Sequence, residues 1–265
     1  MAKTNRPNIL REIVKSKKAE LIHSKIDVPF DELEMLAKSM SSPLNFGGAL
    51  TGNSVRIIAE IKRASPTKGL LNPNINLIEL ADSYAQNGAA AISVLTNSEY
   101  FKGNLNDLKV VANSVNSRGI PVLRKEFIFD AYQIYESRAS GADAVLLIVS
   151  ILSVQLLKEL LTVSQDLWMQ TLVEIHNENE LEIALDAGAE IIGINNRDLN
   201  TFTTDINITE RLAPKIPAGK IVVSESGIRN IEDIRRVRKV GVNAVLIGEK
   251  LVSSADPAQA LRELV

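Results

Sequence analysis

"IIAEIKRASPTKG", residues 57–69, sets a glutamate and a lysine inside a run that otherwise reads as a buried β-strand. Ile58, Glu60 and Lys62 fall on one face and Ile57, Ala59 and Ile61 on the other, because side chains two apart on a strand point the same way. Both faces look interior, and desolvating a carboxylate and an ammonium costs several kcal/mol each, so the pair needs a reason. The loop after the strand carries no G-x-G-x-x-G, which counts against an open doubly wound sheet with a dinucleotide at its first turn.

Seven further β-branched runs follow: "AAISVL" (90–95), "IPVLRK" (120–125), "DAVLLIV" (143–149), "MQTLVEI" (169–175), "EIIGIN" (190–195), "KIVVSE" (220–225) and "NAVLIG" (243–248). They are apolar on both faces, as parallel strands covered by helices are. Between them lie segments with helical spacing, such as "NLIELADSYAQNGA" with Leu77, Leu80, Ala81 and Tyr84 on one stripe. The phrases "NGAAAISV", "SGADAVLLIV", "AGAEIIGI" and "VGVNAVLIG" each put a glycine where a helix C-cap precedes the next strand. Eight strands alternating with helices in 265 residues predict an α/β fold, a single (β/α)8 TIM barrel with an N-terminal helical extension. The boundaries read as 1–55 for the extension, two helices packed on the barrel, and 56–265 for the barrel. The extension holds too little apolar material for a core of its own.

Thirty basic and thirty-two acidic residues leave a formal charge of −2. That excludes a broad electrostatic grip on nucleic acid or an anionic membrane, while a local anion pocket stays open. The absence of cysteine excludes disulfides, thiolate nucleophiles and Cys-ligated zinc. No apolar run is long enough to span a bilayer and no secretory h-region opens the chain, so a cytoplasmic protein is expected. Nothing points to an obligate protein partner.

In a barrel the functional groups come from the C-terminal ends of the strands. The first strand offers Glu60, Lys62 and Ser65, the third Lys125 and Phe127, the fifth Glu174, and the sixth Asn195 and Arg197. The seventh offers Glu225, Ser226 and Gly227, and the eighth Gly248 and Glu249. So many charged side chains at successive strand ends would be a costly way to fill a core, since apolar residues serve as well. A shared polar cavity answers the opening question. "SESGIRN" (224–230) and "LIGEKL" (246–251) follow the two strands after which barrels commonly bind phosphate on backbone N–H groups. Two histidines, His23 and His176, make no metal set; His176, just after Glu174, reads as a loop residue or a supporting group behind the site. Trp168 reads as a packing residue at the start of the fifth strand.

With "IIAEIKRASPTKG", "PVLRKEFI", "GADAVLLIVSIL", "TLVEIHNENEL", "IIGINNRDLNTF", "VSESGI" and "VLIGEKLV" in hand, the chain resembles the indole-3-glycerol-phosphate synthase family of tryptophan biosynthesis from about residue 8 onward. The resemblance implies a small-molecule phosphosugar substrate, 1-(2-carboxyphenylamino)-1-deoxyribulose 5-phosphate, converted to indole-3-glycerol phosphate with loss of carbon dioxide and water. It implies neither metal nor organic cofactor. It makes Lys125 the general acid and Glu174 the catalytic carboxylate, with Glu60 and Lys62 in later proton transfers and Lys62 also near the phosphate. Asn195 and Ser226 match substrate-orienting groups. Ser65 and Arg197 would hold the anthranilate carboxylate, and Phe127 and Leu146 would lie against its ring. Gly227, Gly248 and Glu249 would turn N–H groups to the phosphate, and Glu225 would join the substrate-binding set.

Two positions depart from that family's pattern. Glu249 stands where a small hydroxylic residue is frequent, and is expected to point its carboxylate away from the phosphate; Glu126 stands where aspartate is frequent. A neighbouring lysine or poor solvation is expected to lower the pKa of Lys125 or Lys62. Two rival readings remain. Phosphoribosylanthranilate isomerase needs a Cys/Asp acid–base pair, and this chain has no cysteine. A non-catalytic phosphometabolite-binding barrel would keep the glycine loops without needing Lys125 and Glu174.

Overall fold

The computed structural model describes residues 9–72, 74–198 and 201–265. Eight parallel strands form one closed barrel: β1 Arg56–Ile61, β2 Ala89–Leu95, β3 Val122–Lys125, β4 Ala144–Ile148, β5 Gln170–Ile175, β6 Ile191–Asn195, β7 Ile221–Glu225 and β8 Ala244–Ile247. Each pairs with its sequence neighbours, and β1 closes the ring against β8 through Arg56 to Ala59 opposite Ala244 to Ile247. The strand alternation holds as read. Ile58 joins Ala91, Leu123, Leu146, Leu172, Val223 and Leu246 inside the barrel, while Ile57, Ala59 and Ile61 face the helical layer.

Among the described residues three helices precede the barrel: α1 Ile9–Asp27, α2 Phe30–Ser39 and α3 Phe46–Ala49. Around it run α4 Leu77–Gln86, α5 Ser98–Phe101, α6 Leu105–Val115, α7 Ala131–Ala139 and α8 Val154–Asp166. They are followed by α9 Glu178–Asp186, α10 Asn207–Leu212, α11 Ile231–Arg238, α12 Glu249–Val252 and α13 Pro257–Arg262. The helix-ending glycines adopt the left-handed turn expected of a C-cap, Gly88 at φ 103° and Gly141 at 89°. Among the described residues no helix is long and apolar enough to cross a membrane.

The first two helices grip the barrel through α7 and β3. Leu21 and Leu33 pack on Tyr132, each leucine contributing about 1.5–3 kcal/mol when fully buried. The Tyr132 hydroxyl donates to the carbonyls of Ser24 (2.8 Å) and Val28 (2.9 Å). Phe30 meets Tyr135 edge to face at 4.8 Å between centroids. Lys17, on α1, reaches Glu126 beyond the end of β3, Nζ to Oε2 3.0 Å, with both side chains out of solvent.

The third helix was not anticipated, because "FGGA" has no apolar period to read. Asn45 caps it by accepting the Gly48 N–H at 2.8 Å, and Gln170 at the start of β5 accepts the Gly47 N–H at 2.7 Å. Phe46 and Leu50, both fully buried, thereby join the apolar floor of the barrel interior. Trp168 is a correction. It sits at φ 60° in the turn before β5 and is 83% exposed, because a left-handed residue there throws its side chain outward instead of into the core.

Candidate active site

The C-terminal ends of the strands deliver their polar side chains to one mouth. A cavity of about 530 Å³ is lined by Glu60, Lys62, Ser65, Lys125, Phe127, Leu146, Glu174, Asn195, Arg197, Ser226, Gly227, Gly248 and Glu249. Glu225 lies fully buried beside it and is joined to it through Lys125. The parallel register explains the meeting: Asn195 on β6 is level with Glu225 on β7, and Glu174 on β5 is level with Gly193 on β6. Every residue singled out at the strand ends is therefore brought to one place.

Lys125 is the hub. Its Nζ stands 2.9 Å from Glu225 Oε2 and 3.1 Å from Glu60 Oε2, while Lys62 Nζ takes the other Glu60 oxygen at 2.5 Å. Burial disfavours the Lys125 cation, but Glu225, Glu60 and Glu174 outweigh it and raise its pKa well above the usual lysine range. The expected lowering of the Lys125 pKa is thus reversed, because carboxylates surround it more closely than any lysine does. Glu60 shows the balance from the other side: burial pushes its pKa up, Lys125 and Lys62 pull it down, and it settles at about 2. Glu225 settles at about 7, because burial and the neighbouring Glu174 and Glu60 exceed what Lys125 returns. Its Oε1 has no hydrogen-bond partner among the described residues, as an intermittently protonated carboxyl tolerates better than a permanent anion.

Backbone geometry at the mouth is tight. A Cβ added at Gly248 would stand 2.9 Å from the Cβ and Cδ of Glu60, so only glycine leaves room for that carboxylate. Ser226 adopts φ 65°, a costly conformation for a side-chain-bearing residue. Asn196 over-determines it: its amide donates to the Ser226 carbonyl at 2.9 Å and to Ser224 Oγ at 3.0 Å. The Asn196 carbonyl in turn accepts from the N–H and hydroxyl of Thr209.

The Glu249 carboxylate pairs with Lys68 at 2.5 Å and lies 3.8 Å from Arg197. Burial raises its pKa, yet Lys68, with Lys62 and Arg197 behind it, holds it below the usual carboxylate range. Arg197 and Lys68 supply the counter-charge that reasoning from a phosphate alone left out. Ser65 accepts the Lys68 N–H at 3.2 Å and so sets the loop carrying that lysine. Phe127 lies 6.3 Å from Phe101 between centroids, and Leu146 is buried beneath the cavity. His23 is exposed on α1, whereas His176 lies between Glu174 and Glu180. Among the described residues no group of three or more His, Cys, Asp or Glu side chains could hold a metal ion.

Three residues around the site were not singled out in the sequence. Lys68 was legible as a cation in the loop after the first strand. Lys17, which pairs with Glu126, and Asn196, which spans β6 and β7, act through partners distant in sequence that no local pattern reveals.

A family model described as indole-3-glycerol phosphate synthase matches residues 10–264. An indole-3-glycerol phosphate synthase of Dehalococcoides mccartyi is 49% identical over 258 residues, covering 97% of this chain and 100% of its own. One from Roseiflexus sp. is 45% identical over 262 residues, covering 97% of each chain. Among solved structures, a 3-hexulose-6-phosphate synthase superposes with a TM-score of 0.63 at 17% identity, over 79% of this chain and 98% of its own. At that identity the likeness speaks for the barrel alone.

Proposed function

The chain belongs to the indole-3-glycerol phosphate synthase family, and from that premise we propose how its mouth works as a cytoplasmic carboxy-lyase of tryptophan biosynthesis. The substrate is 1-(2-carboxyphenylamino)-1-deoxyribulose 5-phosphate. Its aromatic carbon attacks the ribulose carbonyl, carbon dioxide leaves, and water follows to give indole-3-glycerol phosphate. The observation that carries the assignment is Lys125, an ammonium held between Glu60 and Glu225 at the floor of the cavity that Glu174 also lines.

Ring closure places negative charge on the carbonyl oxygen, and a fixed ammonium stabilises it without reorganisation. Lys125 is that group and general acid; a positioned acid contributes about 10²–10⁴-fold. Its raised pKa keeps it charged at neutral pH, ready to release its proton to an alkoxide more basic than itself. Glu174, across the cavity, serves as the carboxylate for loss of the proton and hydroxyl in dehydration. Glu60 and Lys62, already paired at 2.5 Å, exchange the later protons, and Asn195, Ser226 and Glu225 orient the sugar. Ser65 and Arg197 receive the anthranilate carboxylate, with Phe127 and Leu146 against its ring. Gly227, Gly248 and Glu249 meet the phosphate with their N–H groups. Residues 1–55 are an extension of the barrel 56–265, a reading supported by the Lys17–Glu126 pair.

Incubation of the purified protein with that substrate, followed by indole absorbance and fluorescence, tests the reaction. Lys125→Ala is expected to abolish turnover while substrate still binds; retained turnover contradicts its role as the acid.

A further inference from the structure

His176 has no part in the roles above, yet its ring occupies the space between two carboxylates. Glu180, in the first turn of α9, accepts the His176 backbone N–H at 2.8 Å and lies 3.0 Å from ring Nδ1. Its other oxygen accepts the Asn177 amide at 2.8 Å. A carboxylate so engaged fixes the proton on Nδ1, as carboxylate partners of imidazoles do. Nε2 then faces Glu174 Oε1 at 3.4 Å, buried and short of a formed hydrogen bond. A neutral ring with its proton on Nδ1 would turn a lone pair toward the Glu174 anion. An imidazolium turns an N–H toward it.

We propose that His176 is a positioning residue for Glu174: clamped by Glu180, it stands as an imidazolium whose Nε2–H holds the Glu174 carboxylate aimed into the cavity. The inference rests on Glu174 being the carboxylate of the synthase reaction. Burial alone would favour the neutral ring, but Glu180, Glu174 and Glu225 outweigh it and raise the His176 pKa. The ring also borders a second cavity that holds Arg11, Lys15 and Lys18 of α1, together with Arg197, Asp198 and Arg211. The five cations there oppose the charge and Asp198 favours it; the two carboxylates within 3.4 Å of the ring decide it. One side chain thus links the strand that carries Glu174 to the helix that follows it.

The chain has two histidines, so a His23→Gln background leaves a single imidazole to follow by ¹⁵N NMR across pH. The expected result is Nδ1 protonated throughout, with a midpoint above the ordinary histidine value of about 6.5 that falls in Glu180→Gln and in Glu174→Gln. In turnover, kcat is expected to decline on the alkaline side with that same midpoint. His176→Asn, an amide donor that does not titrate, should remove the alkaline decline and keep kcat within about tenfold, while His176→Ala loses about 10–100-fold in kcat with little change in KM. A ring that titrates at the ordinary value, or an alkaline decline that persists in His176→Asn, overturns the proposal. The titration needs no substrate: a high midpoint without turnover refutes the reaction, and an ordinary midpoint with full turnover refutes the imidazolium.

Discussion

Replacing Glu225 by glutamine separates the two carboxylates that hold Lys125. In the folded protein the Glu225 carboxyl titrates at about 7 against an ordinary value of 4.5. A group that binds its proton more tightly in the folded state stabilises fully below its unfolded pKa, and that contribution is lost as pH rises through the folded one. The window is therefore pH 4.5 to 7, and the shift corresponds to about 3 kcal/mol at 1.36 kcal/mol per unit. Glutamine keeps an oxygen for Lys125 at the same reach and does not titrate. At pH 5 the two proteins should melt within a degree or two of each other; at pH 8.5 the variant should gain on the wild type. At about 2–4 °C per kcal/mol for a chain near this length, the relative gain is roughly 6–12 °C. Calorimetry of both proteins at both pH values measures it. A melting difference that is the same at pH 5 and pH 8.5 would show Glu225 permanently ionised, and would sink the account of Lys125 as one cation among too many carboxylates.

Gly248→Ala places a methyl 2.9 Å from the Glu60 Cβ and Cδ. Overpacking of this kind costs about 1–3 kcal/mol, and the carboxylate must swing from Lys125, so kcat should fall more than tenfold while the far-ultraviolet spectrum is unchanged; steady-state kinetics with near-native activity would contradict the contact. Lys17→Met removes the counter-charge of Glu126, which is fully buried and keeps only the neutral donors Thr96, Asn97 and the Phe127 N–H. Breaking one half of a buried pair costs about 3–5 kcal/mol, so a thermal melt should show a marked loss, and an unchanged melt would mean that solvent reaches Glu126.

The barrel was legible because each strand is a short β-branched run apolar on both faces, and two-sided burial is what a parallel barrel demands. The mouth was legible for a related reason: a charge such as Glu60 or Lys125 at the end of such a run has nowhere to go but the central cavity. What escaped was decided by neighbours rather than by pattern. Lys125 was read as a lysine near a lysine, whereas the closed ring carries Glu225 and Glu60 within 3.1 Å of it. The floor formed by α3 depends on Gln170 across the barrel capturing an N–H, and the pair Lys17–Glu126 depends on where α1 comes to rest. Glu249 was judged against a phosphate in isolation, while Lys68 and Arg197 surround it.

The position of Trp168 has a practical consequence for spectroscopy. The chain's single indole sits in water beside the strand starts, at the end of the barrel opposite the mouth. Its emission should resemble that of a free tryptophan and stay constant as the mouth fills. An indole chromophore generated at the mouth can therefore be watched against a protein background that does not move with it.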